Sequence, residues 1–211
     1  MEIDDRNHKM NLIALTMEKY ILNMVKVAKN LPGLTGLLPK DQATLLKESF
    51  LEYLLFVLHT RINTELRVIV LINGGKPDEC GGHLSEFSNT TDGEECPWSE
   101  YAAILQRCQF TVEEATLTLG IIVTFTDRCQ LEEPKKVEEI QWNLINRLRS
   151  IISKKHTNPE YRLCQIFDKF ITLRTFAEHA QELSKNESTM ACYERPSYCP
   201  RSIVIKHHFL H

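Results

Sequence analysis

The chain has 211 residues, 43% of them apolar and 25% charged, a composition that suits one globular domain with a sizeable core. Its net charge of −3 argues against general affinity for nucleic acid, which needs a basic surface to displace counterions. No apolar run approaches a membrane span, and the acidic start Met1-Glu2-Ile3-Asp4-Asp5 is unlike a signal peptide, so an intracellular protein is expected.

Ile13, Met17, Tyr20, Met24, Val27 and Leu31 recur at three- and four-residue steps, giving one apolar helical stripe that Pro32-Gly33 stops. A second helix is expected from about Asp41, a good cap. Its Leu51–Leu58 stretch is apolar around most of the circumference, which places it in the middle of a helical stack. Leu66 to Ile72 is β-branched and ends at Gly74-Gly75, predicting a small strand pair. From Gly74 to Pro97 the composition is that of a polar loop. Helical signals return with Trp98, Tyr101, Ala102, Leu105 and Cys108, and again at Thr111, whose spacing to Glu114 is that of a capping box. Pro134 opens a long helix with Val137, Ile140, Leu144, Leu148, Ile151 and Ile152 as its stripe. Asn158-Pro159 breaks it, and a last helix carries Leu163, Phe167, Phe170, Ile171, Phe176, Ala180 and Leu183. The class is all-α with about six helices and a short β-hairpin.

None of this names a reaction. The seven cysteines contain no Cys-x-x-Cys pair, and Cys80-Gly-Gly-His83 and the Cys- and His-bearing tail lack the paired knuckles of structural zinc, so reduced thiols and no metal are expected. His59, His83, His156 and His179 are scattered, and each reads as a surface or packed histidine. Glu113-Glu114 and Glu132-Glu133 are adjacent on helices and do not face each other; they read as N-terminal charge favoured by the helix dipole. The glycine pairs lack the spacing and lysine of a phosphate loop. Periodicity and spacing give a helical binding or scaffold domain and no catalytic constellation.

Three segments resemble, in order, the ligand-binding domains of nuclear receptors. Val27-Ala-Lys-Asn-Leu-Pro-Gly-Leu34 with Asp41-Gln42-Ala-Thr-Leu-Leu-Lys47 and Glu52 is similar to the stretch joining that family's third helix to its fourth and fifth. Thr111-Val-Glu-Glu114 through Phe125-Thr-Asp-Arg128, Val137-Glu138 and Gln141 is similar to the eighth and ninth helices, and Leu173-Arg-Thr-Phe-Ala-Glu-His179 to the tenth-to-eleventh run. Within the family the resemblance leans toward the ecdysone, liver X and farnesoid X receptors.

The resemblance implies a three-layer antiparallel helical sandwich over residues 10–185, an N-terminal extension at 1–9 and an irregular tail at 186–211. It implies a nuclear, ligand-regulated transcription regulator and no enzyme. The implied ligand pocket holds Ile13, Met17, Tyr20, Met24, Leu54, Val57 and His179; Lys29 and Lys47 border a groove for a coactivator or corepressor helix; Glu52 and Arg128 form a structural ion pair of receptors that heterodimerise with the retinoid X receptor. Many relatives carry at Val57 an arginine that anchors an acidic ligand, so a neutral, sterol-like lipophilic ligand is expected, or none. His179 stands one residue short of a histidine seen in relatives, about 100° of helix rotation.

The chain departs from the family pattern in lacking the zinc modules that read DNA, so no direct DNA binding by this chain is expected, nor any membrane association. The first helix of the family also reads as missing, which predicts marginal stability. The tail Arg201-Ser-Ile-Val-Ile-Lys-His-His-Phe-Leu-His211 has no acid where the activation helix needs one. That favours a second reading, a ligand-independent or dominant-negative dimerisation or corepressor-binding module.

Overall fold

The structure, a computed structural model, describes residues 17–70, 72–73, 76–77, 82–83 and 97–185. Helix α1 covers 17–30 of these. It stops where expected: Gly33 takes a φ of +87°, open to glycine but strained for other residues, and a Cβ there would sit 3.0 Å from Ile140 Cγ1. The turn therefore both reverses the chain and seats it against a later helix. A 3-10 turn, Leu34–Gly36, leads into α2, Pro39–Leu58.

Helix α2 begins two residues before the expected cap, with Pro39 in its first turn, where the missing N–H costs nothing. Asp41 is wholly buried and caps another helix: its two carboxylate oxygens accept the amides of Glu132 and Glu133 at 2.9 and 2.8 Å, the entry to α5, Pro134–Lys155. A carboxylate there also meets the positive end of the α5 dipole. Glu133 answers by accepting the Leu38 amide at 3.3 Å. Asp41→Ala is expected to cost about 1–3 kcal/mol, because two amides lose a charged acceptor; thermal melting checks it, and a change no larger than that of an exposed substitution would refute the cap.

Strand β1, Ile62–Asn63, pairs antiparallel with β2, Val68–Ile69, with Ile62 opposite Ile69. The expected strand starting at Leu66 is shortened, since Asn63 Oδ1 accepts the amides of Glu65 and Leu66 and folds that segment into a turn. Arg67 completes the turn with a φ of 53°. Strand β3, Ile72–Asn73, forms a hairpin with β4, Lys76–Pro77, and β5, Gly82–His83, pairs with β2. The stretch read as a loop thus contributes two short strands; its remaining residues to Cys96 lie outside the described ones.

Helix α3 is Pro97–Gln106, α4 Val112–Val123 and α6 Pro159–Lys185. The capping box is present at α4: Thr111 accepts the Glu114 amide and Glu114 accepts the Thr111 amide at 2.9 Å. Helix α2 lies in the middle, packed against both α4 and α6, while α5 packs against α4 and α6 from beyond. Its burial on several sides, with Leu45, Leu46 and Leu55 fully enclosed, explains why its apolar residues are not confined to one stripe. Gly120 permits the tight approach of α4, since a Cβ there would be 2.9 Å from Leu31 Cδ2 and 3.3 Å from Leu144 Cδ1. The result is the expected all-α fold with short antiparallel strands.

Candidate functional site

The expected pocket residues on α1 and α2 enter the apolar core. Met24 and Leu54 are buried, and Met17, Tyr20 and Val57 are partly buried against the same cluster. Each large side chain of this kind contributes about 1.5–3 kcal/mol on burial. Ile13 lies outside the described residues. His179 falls within α6, but its side chain is outside them as well.

A polar edge runs beside this apolar set. Burial raises the Tyr20 phenol above its usual range, offset in part by the Arg61 charge. Tyr53 is pushed up to about 12, first by burial and then by Tyr20. Both phenols stay protonated at neutral pH and can donate hydrogen bonds. Arg61 was not singled out in the sequence, yet it follows Val57 by one helical turn, and the turn His59–Arg61 carries it beyond the end of α2.

Lys29 is exposed near the end of α1, and Lys47 is exposed on α2, 3.6 Å from Glu48. Such lysines suit the carbonyl end of a short docked helix.

Glu52 and Arg128, far apart in sequence, meet: Arg128 Nη1 donates to Glu52 Oε1 at 3.0 Å. Glu52 is buried, whereas the Arg128 side chain is 26% exposed. The contact is one part of a larger network. Arg128 Nη2 donates to Glu178 at 2.6 Å, Arg174 Nε lies 3.8 Å from Glu52, and Arg174 Nη1 pairs with Asp127. Arg174 also stacks over Phe125, 4.6 Å from the ring centroid. Helix α2, the loop after α4, and α6 are thereby tied together. Arg174 and Glu178 stand four residues apart, one helical turn, so both can reach one face of α6.

A second network was missed by the sequence reading. Glu114, read only as a capping and dipole residue, is fully buried and receives Arg162 in a two-pronged pair, Nε to Oε1 at 2.9 Å and Nη2 to Oε2 at 2.7 Å. His156 Nε2 lies 3.1 Å from Glu114 Oε1. Arg162 also donates to the carbonyls of Cys108, at 2.8 Å, and Gln109, at 3.3 Å. Gln109 takes a positive φ of 46°, an unusual conformation for a residue with a side chain, at the turn between α3 and α4. Burial would raise the Glu114 carboxyl, but Arg162, the Thr111 amide and His156 together hold it at about 2.

Around α3, Tyr101 stacks on Phe176 of α6 with centroids 4.4 Å apart, and Trp98 meets Phe176 edge-on at 5.1 Å. Gln106 donates to the carbonyls of His59 and Ile62 at 2.7 and 2.8 Å, fixing the exit of α2. Burial lowers the pKa of His59, which favours a neutral packed histidine. Burial likewise raises the thiol of Cys108, and that of Cys129 to about 11, so both stay protonated. Among the described residues no cluster of three or more His, Cys, Asp or Glu could hold a metal, and no helix is long and apolar enough to cross a membrane.

The family described as the ligand-binding domain of nuclear hormone receptor matches residues 4–185. The chain belongs to that family. This receptor domain is 29% identical over 164 residues to retinoic acid receptor gamma of Xenopus laevis, covering 78% of the chain and 34% of that protein. It is 26% identical over 164 residues to nuclear receptor subfamily 1 group D member 2 of Rattus norvegicus, covering 77% of the chain and 28% of that protein. The chain thus spans about a third of the length of these curated relatives. By name the first is a receptor and the second a nuclear receptor.

Proposed function

We propose that this receptor domain binds a lipophilic ligand between α1 and α2 and passes that state to coregulator helices and a heterodimer partner, as part of a nuclear transcription regulator. The family match over residues 4–185 carries the reading. The apolar set Met17, Met24, Leu54 and Val57, edged by the Tyr20 phenol, supports it, since such sites are mostly apolar with a few placed polar groups. Ile13 and His179 belong to the same proposed pocket. Lys29 and Lys47 border the proposed groove for a coactivator or corepressor peptide. The network around Glu52 and Arg128 supports a rigid dimerisation face, with the retinoid X receptor as the proposed partner and the ecdysone, liver X and farnesoid X receptors as the proposed kin.

The residue types leave two ligand chemistries. Val57, apolar where many relatives carry a base, favours a neutral, sterol-like ligand. Arg61, close enough for its charge to act on Tyr20, favours a lipophile with an acidic end. Native mass spectrometry of the chain, alone and mixed with the retinoid X receptor ligand-binding domain, tests the proposal. A bound lipid that leaves on adding excess neutral sterol supports the first chemistry, and displacement only by a fatty acid supports the second. A heterodimer with no bound lipid favours the ligand-independent interaction module. Neither lipid nor heterodimer refutes both readings.

A further inference from the structure

Two polar side chains in the interior make fewer hydrogen bonds than their chemistry asks. Tyr101 on α3 is 3% exposed, and its phenol oxygen has no partner within the protein. Glu52 on α2 is 1% exposed; its Oε1 accepts from Arg128, but its Oε2 has no partner within the protein. Leaving such atoms unpaired in the interior is costly, and native structures satisfy them with protein groups or ordered water. The two groups are also neighbours. Tyr101 stacks on Phe176, which stands on α6 between Arg174 and Glu178, two residues from each. Arg174 Nε approaches Glu52 Oε1 to 3.8 Å, too far for a direct hydrogen bond. Burial raises the Tyr101 phenol well above its usual range and the nearby Glu52 charge adds to the rise, so the phenol is a hydrogen-bond donor at neutral pH.

We infer that one enclosed water molecule bridges Tyr101 and Glu52, accepting from the phenol, donating to Glu52 Oε2 and accepting from Arg174 Nε. Three partners is the usual number for a buried water. A polar contact slightly too long for a direct bond is also where a bridging water is found. The water carries the network of Glu52, Arg128, Arg174 and Glu178 into α3, which the direct ion pairs of that network do not reach. The site is independent of the lipophilic pocket and the partner proposed above.

A high-resolution crystal structure of the full chain tests the site. An ordered density peak is expected about 2.5–3.2 Å from both the Tyr101 Oη and Glu52 Oε2. Tyr101→Phe keeps the ring on Phe176 and removes only the hydroxyl, so its melting temperature reads the bridge. That temperature should fall by about 2–6 °C. The fall should be about half as large when Glu52 is already Gln, because the charge on the acceptor is then gone. A direct Tyr101–Glu52 bond, no peak between them, or an unchanged or raised melting temperature would overturn the proposal. An equal fall in both backgrounds would do so too, since the hydroxyl would then not act through the carboxylate.

Discussion

Replacing Arg162 by alanine is expected to destabilise the domain by about 3–5 kcal/mol, the usual cost of leaving one partner of a buried ion pair alone. Glu114 is fully buried and keeps only His156 and the Thr111 amide once the guanidinium is gone. The same change frees the carbonyls of Cys108 and Gln109, and with them the turn joining α3 to α4. Urea denaturation of Arg162→Ala against the unaltered chain measures it; a loss under about 1 kcal/mol would mean that the pair is no better than an exposed one. A pH dependence accompanies it. The Glu114 carboxyl lies at about 2, below its ordinary value of 4.5. Its contribution is therefore complete above pH 4.5 and disappears as pH falls through that window toward 2. The expected acid loss from this group is about 3 kcal/mol. In Glu114→Gln that part of the acid sensitivity should vanish, and an unchanged acid unfolding profile would show that other carboxylates set it.

The second large effect is asymmetric. Arg128→Ala is expected to cost about 2–4 kcal/mol, because it strands the Glu52 carboxylate in the interior with Arg174 no nearer than 3.8 Å. Glu52 is already stretched in this respect, as its Oε2 has no hydrogen-bond partner within the protein. Glu52→Gln should cost less, since Arg128 and Arg174 are 26% and 22% exposed and keep Glu178 and Asp127 as partners. Melting temperatures of the two variants test the order, and a larger loss for Glu52→Gln would overturn it. If the proposed dimerisation face depends on this network, Arg128→Ala should also weaken heterodimer formation under conditions where the domain remains folded.

The local rules were legible in the residues that obey them. The stop at Pro32-Gly33, the Thr111–Glu114 box, the opening of α5 at Pro134 and the break at Pro159 depend on backbone angles and on partners within a few residues. Of the expected stripe, Val137, Ile140, Leu144, Leu148 and Ile152 are buried as their spacing predicts, and Ile151 is only half-buried. Asp41 shows the limit of this reasoning. Its residue type announces a cap, but the amides it caps lie more than ninety positions away, at Glu132 and Glu133. Leu66 and Arg67 show another limit: both were read into a strand by composition, and the Asn63 side chain takes them into a turn.

What the sequence by itself determined was the helix order, the all-α class and, through three spaced segments, the receptor family. Those follow from periodicity and from motifs whose members lie close together along the chain. Only the tertiary structure decided that Glu114 finds Arg162 and His156, that Arg174 and Glu178 join Glu52 and Arg128, and that Arg61 acts on Tyr20. The reason is physical. A charged residue carries no sign of its partner when forty or more positions intervene, and whether it is solvated or buried depends on how helices pack.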